Sequence, residues 1–123
     1  MTLKRDLVKY VRDKAKSKYK KGTECHICGS TENLDFHHFN GLTELLEWWM
    51  KKQNITIKTE EEILALRETF IKENYDEVYN QAVTLCHMHH MRLHTIYGKR
   101  PKLQTAMKQQ KWVEIQRDKY GMV

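Results

Sequence analysis

The chain has 123 residues, of which 40% are apolar and 31% are charged, with a formal net charge of +6. This length suits one domain with a modest core, and the composition excludes a disordered chain. No apolar run approaches the ~18 residues of a membrane span, and no secretory signal is visible at the N-terminus, so we expect a cytoplasmic protein without a membrane partner.

Residues 1–21 form a basic segment that is predicted to be a helix. The segment carries nine Lys or Arg and two Asp, a net charge of +7 that leaves the rest of the chain about neutral. Leu3, Leu7 and Tyr10 recur at helical spacing, and Gly22 ends the pattern. The lysines form either a solvated helix face or a surface for nucleic-acid phosphates. Together with two later residues, the candidate phosphate contacts are Lys4, Arg5, Lys9, Arg12, Lys16, Lys99 and Arg100.

Residues 24–39 combine a metal-ligand knuckle with a strand, and we expect a short hairpin here. Cys25 and Cys28 are separated by two residues, so a tight turn can present both thiolates to one ion. The following residues alternate as a strand does, which would send His37 and His38 to opposite faces. If both histidines serve one site, the strand must end or bulge at this point.

Residues 42–75 are predicted to be a helical insertion. The first helix extends from Leu42 to Lys52. The second begins at a capping box, with Thr59 as N-cap and Glu62 at the third helical position. The apolar stripes of both helices predict core packing rather than ligand binding.

Residues 83–97 contain a second strand, a second knuckle and a helix, and residues 102–120 predict a last helix. Cys86 and His89 have knuckle spacing, while His90 and His94 share one face of a helix. The predicted fold class is α+β and mostly helical. It has a small β-hairpin plus helix core to which N-terminal, inserted and C-terminal helices are added.

The cysteines predict a structural metal site. Three cysteines cannot all pair in disulfides, whereas one histidine completes a tetrahedral zinc site in a reducing cytoplasm. Such an ion can contribute roughly 10 kcal/mol or more to folding. The alternative is a set of buried, reduced cysteines without metal. The predicted zinc ligands are Cys25, Cys28, Cys86 and His89.

The remaining histidines predict a second metal site. His90 and His94 can chelate one ion, and His37 or His38 can supply a third nitrogen. The other histidine of that pair is then free to take a proton from water, while the ion binds a phosphate oxygen. The alternative gives these histidines helix-surface or core roles. By ligand softness three imidazoles suit Mn, Ni or Zn better than Mg, which stays a candidate.

In the segments E-C-H-I-C-G, L-D-F-H-H and L-C-H-M-H-H-M-R-L-H the chain resembles the HNH endonucleases, which are ββα-metal nucleases, here of the zinc-containing kind. The resemblance covers roughly residues 24–39 and 83–97. It implies that His37, His90 and His94 hold the catalytic ion and that His38 is the general base. It also implies metal-dependent hydrolysis of DNA phosphodiesters, with little sequence preference and a 5′-phosphate product.

Two positions depart from the HNH pattern. His89 stands where a cysteine is usual, which still permits zinc. The usual asparagine, five positions before the late cysteine, is replaced by Gln81, and Asn80 lies one position earlier. In the family this residue braces the loop between the strands, and Asn80 is the expected brace in a shifted register.

Three functions are compatible with these residues. An HNH nuclease would nick DNA as a monomer and cut both strands as a homodimer or in two visits. Its partners would be DNA and phage or host DNA-processing proteins. A non-catalytic zinc-stapled nucleic-acid-binding module would need only the zinc ligands. A nuclease toxin is disfavoured by the small size and missing export region, which leaves an intracellular phage or bacterial enzyme.

Overall fold

The computed structural model describes residues 5–121, with Arg5 described by its backbone alone. A π-helical turn, Asp76–Asn80, precedes the second strand, and a 3-10 turn, Leu103–Thr105, precedes the last helix. This architecture confirms the predicted α+β, mostly helical fold class. In chain order, the elements are α1 (Arg5–Lys16), β1 (Leu34–His38), α2 (Leu42–Gln53), α3 (Glu60–Glu73), β2 (Ala82–Cys86), α4 (His87–Tyr97) and α5 (Ala106–Lys119).

The sheet consists of β1 and β2 in antiparallel pairing. Leu34 lies opposite Cys86, and the register advances one residue for one until His38 lies opposite Ala82. Because successive side chains of a strand point to opposite faces, His37 and His38 lie on different faces of the sheet. The alternation of the sequence predicts this arrangement.

The expected hairpin within residues 24–39 is wrong, since that segment contributes only β1. The Cys25 amide donates to the Ser30 carbonyl at 2.7 Å, and the Gly29 amide donates to the Cys25 carbonyl at 2.8 Å. The knuckle is thus a turn rather than a strand, and its His26 amide donates to the Thr84 carbonyl of β2 at 2.9 Å. The strand that pairs with β1 is β2, which follows the two inserted helices.

The first hydrophobic cluster, called here the helical cluster, joins α1, α2 and α3. Apolar residues of α1 recur at helical spacing and are buried against the inserted helices. The capping box at Thr59 and Glu62 is present at the start of α3. Fully or almost fully buried members include Val8, Val11, Ala15, Leu46, Trp49, Ile63 and Phe70.

The second hydrophobic cluster, called here the knuckle cluster, is formed by the knuckle together with residues of the sheet, α4 and α5. Its members are Cys25, Ile27, Phe39, Leu85, Cys86, Leu93, Ala106 and Val113. Polar contacts also attach α5 to the knuckle: His26 Nε2 lies 2.7 Å from a Glu114 carboxylate oxygen, and Arg117 donates to the His26 carbonyl. The last helix is therefore attached directly to the cysteine-bearing turn.

Among the helices of residues 5–121, none combines the length and apolar character needed to cross a membrane.

Candidate metal centres and cleft

The first group of candidate metal ligands joins the knuckle before β1 to the start of α4. The Cys28 and Cys86 sulfurs lie 3.9 Å apart, and His89 Nδ1 lies 3.3 Å from Cys86 Sγ and 4.0 Å from Cys25 Sγ. A tetrahedral ion about 2.3 Å from each of two thiolates would set the sulfurs about 3.8 Å apart. This Cys3His group therefore has the dimensions of a four-ligand metal site.

The backbone around the Cys3His group favours a thiolate at Cys25. Burial raises the pKa of that thiol, but hydrogen bonds from the backbone at Cys28, Cys86 and Ile27 outweigh burial and lower it. Burial raises the pKa of Cys28 to about 11. Backbone donors on a sulfur stabilise its negative form, which is the form that binds a metal.

A second group, called here the three-histidine group, joins the end of β1 to the exposed side of α4. His90 Nε2 lies 3.1 Å from His37 Nδ1 and 3.0 Å from His94 Nε2. Nitrogens about 2.1 Å from one ion, at angles of 90° to 109°, would lie about 3.0–3.4 Å apart. His90 and His94 are one helical turn apart, so α4 holds two of the nitrogens on one face.

Acceptor atoms fix the tautomers of the two α4 histidines. His90 Nδ1 lies 3.1 Å from a carboxylate oxygen of Asp35, and His94 Nδ1 lies 2.8 Å from the Gly98 carbonyl. Burial raises the pKa of Asp35, but hydrogen bonds from His90 and His87 bring it below its ordinary value. Since both oxygens can only accept, each neutral ring carries its hydrogen on Nδ1 and directs the Nε2 lone pair inward.

His37 reaches the same point from the sheet. Its Nε2 lies 2.8 Å from the side-chain oxygen of Gln109 on α5. Burial lowers the pKa of His37 to about 4, and the charges of His90 and His94 act in the same direction. The neutral ring is the form that binds a metal.

The three inner nitrogens have no hydrogen between them when the outer nitrogens hold the hydrogens. His90 Nε2 lies 3.1 Å and 3.0 Å from the other two inner nitrogens, and lone pairs that face each other at such distances repel unless a cation lies among them. Outer acceptors of this kind orient imidazole ligands in metal sites. The three-histidine group therefore fits a metal ion, and three protein ligands leave coordination positions open.

His38 lies on the other face of β1, against two aromatic rings. The Tyr19 ring centroid lies 4.8 Å from the His38 ring, and the Phe36 centroid lies 5.2 Å from it. Burial lowers the pKa of His38 to about 4, while a hydrogen bond to the Val78 backbone opposes the shift. His38 Nε2 is buried and has no hydrogen-bond partner within the described residues.

An open cleft of about 950 Å³ borders both faces of this region. The three-histidine group, His38 and Tyr19 all line it, although the Nε2 atom of His38 is itself buried. The basic side chains that line the cleft are Arg12, Lys16, Lys21, Lys99 and Arg100.

The predicted phosphate contacts separate into three sets. Arg12, Lys16, Lys99 and Arg100 line the cleft, whereas the Lys9 ammonium lies over the Tyr10 ring, 5.2 Å from its centroid. Lys4 and the side chain of Arg5 lie outside the described part of the chain.

The predicted brace, Asn80, is exposed, and its amide donates to Asp76 at 2.9 Å. Its neighbour Gln81 makes the contacts that cross the loop. The Gln81 side-chain oxygen accepts from Asn40 at 2.7 Å, and its amide donates to Asp76 at 2.7 Å.

Sequence reasoning missed three side chains of the site. Asp35 could have been found, because the alternation of β1 places it on the same face as His37. Lys21 belongs to the basic segment, but nothing in the sequence distinguishes it from the other lysines there. Gln109 carries no sequence signal, since it lies in a helix without a motif and 72 positions from its partner, His37.

Comparison with known proteins identifies the family of the chain. No solved structure matches it. A family model described as the nicking endonuclease family, that of phage T5, matches residues 1–122. The match spans both candidate metal groups and the cleft. The chain therefore belongs to the phage T5 nicking endonuclease family and is a nuclease that acts on DNA.

Proposed function

We propose that the chain is an HNH-type endonuclease in which His38 and the three-histidine group hydrolyse a DNA phosphodiester. The observation that carries this proposal is the meeting of three imidazole lone pairs in the cleft that His38 also lines. The antiparallel strands followed by α4 have the order of a ββα-metal motif, which supports the assignment.

The two candidate metal groups have different roles in this proposal. The Cys3His group would hold Zn²⁺ with four protein ligands, which leaves no position for a substrate and makes the site structural. His37, His90 and His94 would hold the catalytic ion, which is Mg, Mn, Ni or Zn. When bound, that ion would polarise the scissile phosphate and stabilise the charge on the leaving oxygen.

His38 is the proposed general base. The Val78 backbone holds its ring, and its Nε2 has no other partner among the described residues. His38 takes a proton from a water molecule, whose oxygen forms a bond to phosphorus as the bond from phosphorus to the 3′ oxygen breaks. The leaving 3′ oxygen takes a proton from solvent water, so the products are a 5′-phosphate and a 3′-hydroxyl.

Gln81, rather than Asn80, is the proposed brace of the loop before β2. Its side chain connects Asn40, just after β1, to Asp76 in the π-helical turn. That turn contains Val78, whose backbone holds His38. Gln81 thus holds together the end of β1, the start of β2 and the turn that contacts the base.

Arg12, Lys16, Lys21, Lys99 and Arg100 are the proposed DNA contacts. All five line the cleft, and basic side chains along a groove bind phosphates without reading sequence. One such active site cuts one strand, so the expected product is a nick. A double-strand break would need a homodimer or a second visit.

Replacement of His38 tests the proposed base. His38→Ala should lower the rate of supercoiled-plasmid nicking by about 10²-fold or more, because the water loses its proton acceptor. Met107→Ala, which shortens an α5 side chain that is 81% exposed and does not line the cleft, is the control and should nick at the wild-type rate. Circular dichroism establishes that both variants are folded. Wild-type nicking by a folded His38→Ala chain would refute the assignment.

A further inference from the structure

We propose that Gln109 is a positioning residue that fixes the tautomer of His37 and thereby joins α5 to the catalytic ion site. The inference rests on the proposed function, since His37 is assigned there as a ligand. Gln109 does not face the inner nitrogens. It acts only through the His37 ring.

The hydrogen bonds of Gln109 fix the orientation of its amide. The nitrogen lies 3.3 Å from the Phe39 carbonyl and 3.0 Å from the Thr105 hydroxyl oxygen. A carbonyl can only accept, so the amide NH2 group must face Phe39. The amide oxygen is then the atom that faces His37, at 2.8 Å from its Nε2.

The orientation of the amide determines the protonation of His37. An amide oxygen accepts a hydrogen bond, so the neutral ring carries its hydrogen on Nε2. The lone pair is then on Nδ1, the atom that lies 3.1 Å from His90 Nε2. With the other tautomer, Nδ1 would direct a hydrogen at the position proposed for the ion.

The burial of Gln109 supports a role beyond packing. The side chain is 0% exposed, on a helix whose buried neighbours Ala106 and Val113 belong to the knuckle cluster. A buried amide without partners is costly, whereas an apolar residue would fill the same space without hydrogen bonds. Here each polar atom of the amide is satisfied, and one of them is committed to His37.

Gln109 also differs from the other outer acceptors by its position in the chain. Asp35 belongs to β1, and Gly98 directly follows α4, so the elements of the ββα motif supply both. His37 alone takes its outer acceptor from α5. The C-terminal helix is therefore a required part of the site, and we expect its displacement to weaken the ion site.

The experiment compares Gln109→Met with Gln109→Glu in the full chain with its zinc bound. Methionine keeps the length of the side chain but accepts no comparable hydrogen bond, whereas glutamate keeps an oxygen for His37 Nε2. Gln110→Met is the control, since it makes the same change at the next, half-buried position of α5. Two quantities are measured: the His37 tautomer, by ¹⁵N NMR without the second ion, and Mn²⁺ or Ni²⁺ affinity, by titration.

Wild type, Gln110→Met and Gln109→Glu should show the Nε2–H tautomer of His37. Gln109→Met should show a mixture of tautomers and bind the second ion about 10- to 100-fold more weakly. A wild-type Nδ1–H tautomer overturns the inference, as does a Gln109→Met chain with unchanged tautomer and affinity. If Gln109→Met does not fold, the other two chains test the inference. The Nε2–H tautomer of His37 in both the wild type and Gln109→Glu supports it, and its absence from either overturns it.

Failure of the proposed function gives a different result. In that case the wild-type chain shows the Nε2–H tautomer of His37, and Gln109→Met changes the tautomer and the affinity as expected. His38→Ala, however, nicks at the wild-type rate, and this result would refute the catalytic assignment alone. The positioning role of Gln109 would then still hold, because the tautomer is read without cleavage.

Discussion

At the residue scale, the second nitrogen distinguishes His89 from the three-histidine group. His37, His90 and His94 each direct that nitrogen to an oxygen. The second nitrogen of His89, Nε2, is buried without a partner in the described residues, and the ring packs edge-on against Tyr120. Adjacent positions of a helix differ by about 100°, so His89 and His90 can face different sites although they follow one another.

The spacing of the ligands made this division predictable. Cys86 and His89 have knuckle spacing, and His90 and His94 have the spacing of one helical turn. The structure brings each predicted group together as a unit. Spacing could not predict the oxygens that accept from the outer nitrogens of these histidines. Gln109 and Gly98 supply such oxygens because of where the fold places them, and their residue types give no signal in the sequence.

Single replacements should separate stability from cleavage. Cys28→Ser removes a ligand of the Cys3His group and should destabilise the fold by several kcal/mol, with loss of zinc. His94→Ala should abolish detectable nicking with little change in the melting temperature, because its ring is half-buried at the cleft. Thermal unfolding, zinc content and plasmid nicking are measured for both variants. Equal destabilisation by both would argue against two separate roles.

At the element scale, the segment between the strands positions the proposed base. The π-helical turn Asp76–Asn80 leads into β2, and the Phe39 amide donates to the Gln81 carbonyl at 3.1 Å. Backbone and side chain of Gln81 thus both bridge to the end of β1. The helices of this region were predictable from their periodicity and capping box. The strand pairing was not predictable from local patterns, because β1 pairs with β2, a distant segment, and not with the neighbouring knuckle.

Gln81→Ala should lower the nicking rate about tenfold, because the loop that holds His38 loses its side-chain contacts to Asn40 and Asp76. Asn80→Ala is the matched control and should retain the wild-type rate, since its amide contacts Asp76 from an exposed position. Initial rates of plasmid nicking measure both effects. A larger loss in Asn80→Ala than in Gln81→Ala would restore Asn80 as the brace.

At the scale of the whole molecule, the helical cluster and the sheet meet beside the cleft. Tyr19, which follows α1, stacks on Phe36 of β1 with ring centroids 4.8 Å apart. The Tyr79 hydroxyl donates to the Ala15 carbonyl at 3.1 Å. These contacts place the C-terminal part of the basic helix next to His38. Composition predicted a basic surface but not its location, because location depends on these long-range contacts.

The basic cleft should make DNA binding depend on salt. The double variant Arg12→Gln/Lys16→Gln should lower the slope of log Kd against log salt by about 1–2, because each lost phosphate contact removes about 0.9. Lys108→Gln/Lys111→Gln removes the same charge from exposed positions of α5 and should change the slope less. Fluorescence anisotropy with a short duplex, without divalent ions, measures both. If Arg12→Gln/Lys16→Gln and Lys108→Gln/Lys111→Gln change the slope equally, the proposed DNA contacts are refuted.

Metal counting combined with plasmid nicking tests the central claim most directly. After mild chelation the chain should keep one tightly bound zinc, remain folded and lose nicking. Addition of one of Mg, Mn, Ni or Zn should restore conversion of supercoiled plasmid to nicked circles, with a second ion bound per chain. The account is contradicted if nicking persists with only the zinc of the Cys3His group bound, or if no divalent ion restores it.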